Sequence, residues 1–147
     1  VSKNELMARA QAEGCSFIDF LPRVSKVQSL SAIQQADLCY IGWHDRPIYR
    51  FGISPNKISE YMYAQKPIVH AVPKTNDPVK EANAGISVKP FDPQALDAAL
   101  RTLCAMSHEQ RDELGRNGRR YVLEHLEWSV LARKYETILK KLVGAGA

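Results

Sequence analysis

The segment Gly52-Ile-Ser-Pro-Asn-Lys-Ile-Ser-Glu-Tyr-Met-Tyr-Ala-Gln-Lys-Pro67 carries the clearest structural signals of the chain. Proline fits the first turn of a helix, where its missing N–H would have no intrahelical partner, so Ser54 reads as the N-cap and Pro55 as the first helical residue. Ile58, Tyr61 and Met62 recur at i, i+3 and i+4 and form one apolar face, with Ser59 and Glu60 pointing elsewhere. Pro67 stops the helix, and the apolar run Pro-Ile-Val-His-Ala-Val that it opens reads as a buried strand. The first turn of such a helix offers unpaired N–H groups and the positive end of the helix dipole, which suits a phosphate group. Lys57 adds a full positive charge beside it.

The flanking segments repeat the alternation of strand and helix. A helical pattern from Glu5 to Glu13 ends at Gly14, and Ser16 to Phe20 reads as a short strand. A loop from Leu21 to Lys26 leads to a helix with Val27, Leu30, Ile33 and Ala36 on one face. Asp37 to Gly42 reads as a buried strand, and Trp43 to Ser54 as a long loop without its own secondary structure, a kind of segment that often carries function. After Pro67 come a polar turn from Pro73 to Asp77, a short helix from Pro78 to Ala84 and a last strand from Gly85 to Pro90. The remaining third is helical: one helix starts at Asp92 and Pro93, a second is capped by Ser107, and a last carries Trp128, Leu131, Tyr135, Ile138, Leu139 and Leu142 on one face. Short apolar strands alternating with helices predict an α/β fold, a Rossmann-like, doubly wound parallel sheet with helices on both faces. An open α/β domain normally begins with a strand, so a chain that starts on a helix is expected to be a fragment lacking its first strand.

The totals bound the function classes. At 147 residues the chain suits one domain with a real core. A composition 45% hydrophobic and 24% charged is that of a globular protein, and no apolar run approaches the roughly 20 residues of a membrane span. Cys15, Cys39 and Cys104 are scattered and odd in number, which predicts reduced thiols and a cytoplasmic protein. The net charge of +4 is too small to select an anionic ligand, a nucleic acid or a membrane.

Pro55-Asn56-Lys57-Ile58-Ser59-Glu60-Tyr61-Met62, followed by Lys66-Pro67-Ile68-Val69, resembles the nucleotide-sugar site of family-four (group 1) retaining glycosyltransferases of the GT-B type, which pair two Rossmann-like domains. The match is to the branch with a Pro-Ser/Asn-Lys signature that makes bacterial surface polysaccharides, and it extends from about Phe17 to the C-terminus. The resemblance implies that residues 1–147 form the C-terminal, donor-binding domain, without the N-terminal acceptor domain. It implies a hexosyltransferase-type enzyme that moves a sugar from a nucleoside diphosphate, expected to be UDP, onto a glycan or lipid-linked acceptor bound by the missing domain. By itself this half should bind nucleotide weakly and transfer nothing. The resemblance places the whole protein in the cytoplasm, with peripheral contact at the inner face of the membrane.

Carried over residue by residue, the resemblance gives Glu60 the ribose hydroxyls and gives Ser54, Asn56 and Lys57 the diphosphate. A carboxylate can accept two hydrogen bonds from a vicinal diol, as in dinucleotide folds. From spacing alone Glu60 is an ordinary solvated helix residue; the flanking motif matches reverse that balance. Arg23 and Val24 occupy the loop that meets the nucleobase in the family, mostly through backbone atoms. Many members carry a further glutamate eight positions before the one matching Glu60, against the donor sugar, and this chain has Gly52 there, so no sugar-binding glutamate is transferred. Gln65 replaces the usual glycine before Lys-Pro, at modest local strain. Arg46, Tyr49 and Arg50 fall within reach of a sugar or diphosphate, although surface charge on a loop is the simpler account.

Other chemistries are excluded by pattern. The four histidines and three cysteines show no metal-ligand spacing and there is no Asp-x-Asp, so a metal-independent mechanism without a cofactor is expected. There is no Gly-x-x-x-x-Gly-Lys loop, Glu5 and Glu13 lie on an ordinary amphipathic helix, and Arg116, Arg119 and Arg120 lack the aromatic platform of a nucleic-acid site. No catalytic residue is assigned. The rival readings are half of a nonhydrolysing UDP-sugar epimerase, which fits the signatures less well, and a noncatalytic flavodoxin-like interaction module.

Overall fold

A computed structural model describes residues 2–144. Three short strands, β1 (Cys39–Gly42), β2 (Ile68–Ala71) and β3 (Gly85–Val88), form a parallel sheet in the order β1-β2-β3. Cys39 pairs with Ile68 and Ile68 with Gly85, so the three strands end together at Gly42, Ala71 and Val88. The helices are α1 (Lys3–Ala12), α2 (Lys26–Gln35), α3 (Asn56–Tyr63), α4 (Pro78–Glu81), α5 (Pro93–Ala105), α6 (His108–Tyr121) and α7 (Trp128–Gly144).

Every residue of β2 is buried, as expected of the middle strand of a parallel sheet. Its alternate side chains serve two cores. Ile68 packs with Cys39, Ile58, Met62, Val79, Ala84 and Val122 on one face, and Val69 packs with Ala99 and Leu103 on the other. Helix α3, with Val79 of α4 and Val122 just after α6, therefore covers one face and α5 the second, which is the doubly wound arrangement read from the sequence.

Serine and aspartate side chains cap several of the helices. Ser2, Ser25 and Ser107 each form a reciprocal capping box with Glu5, Gln28 and Gln110. Asp92 accepts from the Ala95 N–H at 2.9 Å, and Gly14 follows α1 with φ +68°, the left-handed conformation that glycine adopts without steric cost. Gln65 has φ +58° and so takes a glycine's conformation after α3, at the strain expected.

Four expectations are corrected. Helix α3 starts at Asn56, one residue late: Pro55 is its extended N-cap, with φ −83° and ψ 131°, and Ser54 makes no capping bond. Ser16 to Phe20 is not a strand, because a strand needs a ladder neighbour and β1 pairs only with β2 among the described residues; Phe17 is 83% exposed. The Trp43 to Ser54 loop contains a 3-10 turn over Pro47–Phe51. The helix capped by Ser107 does not continue regularly through Leu126, since Val122–Leu126 forms a turn of π-helix that leads into α7. The apolar face of α7 is exposed, with Trp128 at 86%.

Helix α6 reaches α3 through glycines one turn apart. A Cβ on Gly115 would stand 2.1 Å from the Gln65 carbonyl oxygen, whereas one on Gly118 would meet only the side chains of Ala84 and Met62, at 3.1 Å or more. Alanine gains up to about 1 kcal/mol of helix propensity over glycine, but a backbone overlap of this size forces the helices apart. Gly115→Ala is expected to lose about 1–3 kcal/mol net in urea unfolding, with Gly118→Ala losing less.

Candidate functional site

Helix α3 runs from β1 back to β2, which puts its N-terminus at the carboxyl edge of the parallel sheet, where open α/β sheets bind their ligands. The Ile58 N–H bonds back to the Pro55 carbonyl at 3.2 Å. Pro55 has no N–H, so Asn56 and Lys57 supply the free amides: neither has a hydrogen-bond partner among the described residues. Both residues are exposed, as is Ser54.

Glu60 lies one turn further along. Its side chain is largely covered, and its Oε1 accepts from the Lys26 ammonium. Lys26 opens α2, which enters β1 as α3 enters β2, so the N-termini of both helices lie on the same edge of the sheet. Arg23 and Val24, both exposed, sit on the loop just before it. The second oxygen of Glu60 has no partner among the described residues. Glu60 opens onto a groove of about 760 Å³ walled by Leu30, Tyr63, Arg119, Leu126 and Trp128. Ser54 instead lines a cleft of about 170 Å³ with Asn76, Glu81 and Tyr121, and Ser59 borders both hollows. Asn56, Lys57, Arg23 and Val24 line neither.

Two groups beside the site carried no role in the sequence reading. Asn76 grips Ile53: its Oδ1 accepts from the Ile53 N–H at 2.7 Å and its Nδ2 donates to the Ile53 carbonyl at 2.8 Å. His70, fully buried at the carboxyl end of β2, lies between Trp43 and Asp77. Trp43 Nε1–H donates to His70 Nε2 at 3.0 Å; an indole can only donate, so the imidazole proton is assigned to Nδ1, which donates to Asp77 at 2.9 Å. Asp77 also caps α4 by accepting from the Lys80 N–H at 3.2 Å. Both ring nitrogens of His70 are thus engaged, and it has no lone pair left for a substrate. The signals for these groups were an imidazole inside an apolar run and an Asp-Pro pair at a helix start.

The ionisation of the surrounding groups follows from burial and partners. Burial alone would raise the Asp77 pKa, but the hydrogen bonds from His70 and the Lys80 N–H, with the Ser87 hydroxyl close by, outweigh it and hold the carboxyl below its ordinary value of 3.8. Ser87 Oγ, buried and without a partner of normal geometry, is near enough to add to that effect. Burial, together with its 2.8 Å hydrogen bond to Glu81, pushes the Tyr121 hydroxyl up to about 12, so it remains a donor at neutral pH. Burial pushes the Cys39 thiol up to about 11, against the opposing charge of Lys66, which suits packing rather than nucleophilic chemistry. The cationic patch on α6 is spent on local contacts: Arg116 with Glu109, Arg119 over the Tyr63 ring, and Arg120 with Asn117. Among the described residues no cluster of histidine, cysteine and carboxylate side chains is placed to hold a metal ion, and no helix is long and apolar enough to cross a membrane.

No protein-family model matches the chain, and no curated protein does. Among solved structures the chain is similar to the sucrose-phosphate synthase of Thermosynechococcus elongatus, with a TM-score of 0.77 over 97% of this chain at 20% identity. That likeness shows the fold, a Rossmann-like domain as found in GT-B glycosyltransferases. The chain spans about a third of that protein's length, 34%.

The Asp77 pair has a pH signature. A carboxyl held below its unfolded pKa contributes stability that is present above that value and lost as pH falls through the lower, folded value. Asp77→Ala leaves the buried His70 Nδ1–H without an acceptor and is expected to cost about 1–3 kcal/mol at pH 7. In denaturant titrations the gap from wild type should shrink below an ordinary carboxyl pKa of 3.8.

Proposed function

We propose that this domain is the donor-binding half of a retaining glycosyltransferase of the family-four, Pro-Asn-Lys type, which takes a hexose from UDP for a glycan or lipid-linked acceptor in surface polysaccharide synthesis. The observation that carries the reading is the pair of free amides, Asn56 and Lys57, at the start of α3, with the Glu60 carboxylate one turn beyond them on the same sheet edge. Likeness of fold to a sucrose-phosphate synthase supports it.

In this reading the two amides and the Lys57 ammonium, together with the Ser54 hydroxyl, face the diphosphate. Negative charge builds on the leaving diphosphate as the sugar departs, so donors fixed in advance stabilise the transition state more than the ground state. Glu60 takes the ribose diol through the oxygen that Lys26 leaves free, while Lys26 orients the carboxylate. The base lies against the backbone of Arg23 and Val24. The amides and side chains carry the charge stabilisation without a metal ion or other cofactor.

The exposed Phe17 and the exposed apolar face of α7 support a larger protein in which a first strand flanks Ser16–Phe20 and an N-terminal domain binds the acceptor. A cytoplasmic enzyme, touching the inner face of the membrane where lipid-linked acceptors lie, completes the proposal.

Calorimetric titration tests the donor site. Glu60→Ala is expected to weaken UDP binding by about 1–3 kcal/mol, roughly 5- to 150-fold. Removing the ribose 2′-hydroxyl from the ligand should cost wild type affinity and the variant almost nothing, because both changes delete one interaction. Equal losses in the two proteins overturn the role of Glu60, and a wild type that binds no UDP overturns the donor reading.

A further inference from the structure

The geometry points to Asn76 as a positioning residue that shapes the anion cradle at the start of α3. Ile53 is buried, and one side chain meets both its N–H and its carbonyl across 23 residues of chain. Only one orientation of the amide supplies an acceptor to the N–H and a donor to the carbonyl, so the contact fixes the Asn76 side chain as well as the backbone. Thr75 Oγ1 donates to the same Oδ1 at 3.2 Å.

Two further observations show what the clamp does. Gly52, with φ +106°, is in a backbone conformation that side chains rarely adopt, and a Cβ there would lie 3.2 Å from Asn76 Oδ1. The positive φ, with Asn76 close by, makes a side chain at position 52 strained. The next residue, Asp77, holds His70, and His70 holds Trp43. Adjacent residues 76 and 77 therefore tie down both ends of the segment from Trp43 to Ile53, while its middle, with Ile48 and Phe51, is exposed. Ile53, held by both backbone groups, lies two residues before Pro55, the extended N-cap of α3, and Ser54 between them lines the same cleft as Asn76. Ser54 makes no capping bond, and the amides of Asn56 and Lys57 have no partner among the described residues.

This inference rests on the nucleotide reading for the ligand but not for the clamp, and the experiment separates the two. Amide hydrogen exchange and UDP calorimetry are measured on wild type, Asn76→Ala and Asn76→Asp, with the Ile68 amide, bonded to Ala84 inside the sheet, as a folding control. In Asn76→Ala the Ile53 amide is expected to exchange about tenfold faster while Ile68 is unchanged, and UDP Kd should rise about tenfold. Asn76→Asp keeps the acceptor and should restore protection at Ile53 and part of the affinity. An unchanged Ile53 rate in Asn76→Ala overturns the clamp. A released Ile53 with wild-type UDP affinity overturns the positioning role. Release of Ile53 in a protein whose wild type binds no UDP upholds the clamp and overturns the nucleotide reading.

Discussion

Burial of β2 on both faces is the constraint to which the other elements answer. Four residues with hydrogen-bonded neighbours on either side can shed water only if helices cover both surfaces of the sheet, and α3 with α4 on one side and α5 on the other do so. Parallel pairing then fixes direction. Each strand is entered from a helix that began at the carboxyl edge, so α2 and α3 open on one side of the molecule and bring the positive ends of their dipoles there.

Within that frame β2 also carries a fully buried polar side chain, His70, at its carboxyl end. An imidazole buried without partners would cost more than it contributes, and here Trp43 and Asp77 satisfy both nitrogens. The satisfied ring becomes a strut between the loop after β1 and the start of α4. Asn76 adds a second strut one residue away. The candidate site is therefore built on loops, but on loops tied to the middle strand, and tied loops keep donors fixed before a ligand arrives.

Charge at the site is modest and local. Lys26 and Glu60 neutralise one another across the mouth of two helices, and the more heavily covered member is the carboxylate. An exposed pair of this kind contributes little to stability, so its value lies in orientation. The amides of Asn56 and Lys57 at the start of α3 have no such partner among the described residues.

Much of this was legible in the residues themselves. Apolar runs, period-3.6 patterning, serine and aspartate caps, and the prolines at 55, 67, 78 and 93 placed the three strands and the starts of the α-helices to within a residue or two, because caps and breakers act through local backbone chemistry. Ser16 to Phe20 shows the limit: strand propensity is local, but a ladder needs a neighbour, and the fold provides none there among the described residues. Glu60 and the amides of Asn56 and Lys57 could be named from a motif. That Ser54 stands aside, that Lys26 reaches Glu60 and that Asn76 grips Ile53 depended on contacts between residues up to 34 positions apart, and no local pattern encodes such a distance. Local residue chemistry thus sets the order of elements and most of the helix caps, whereas which of the groups on α3 meet others follows from the fold, because packing against β2, rather than spacing along the chain, sets the distance between loops.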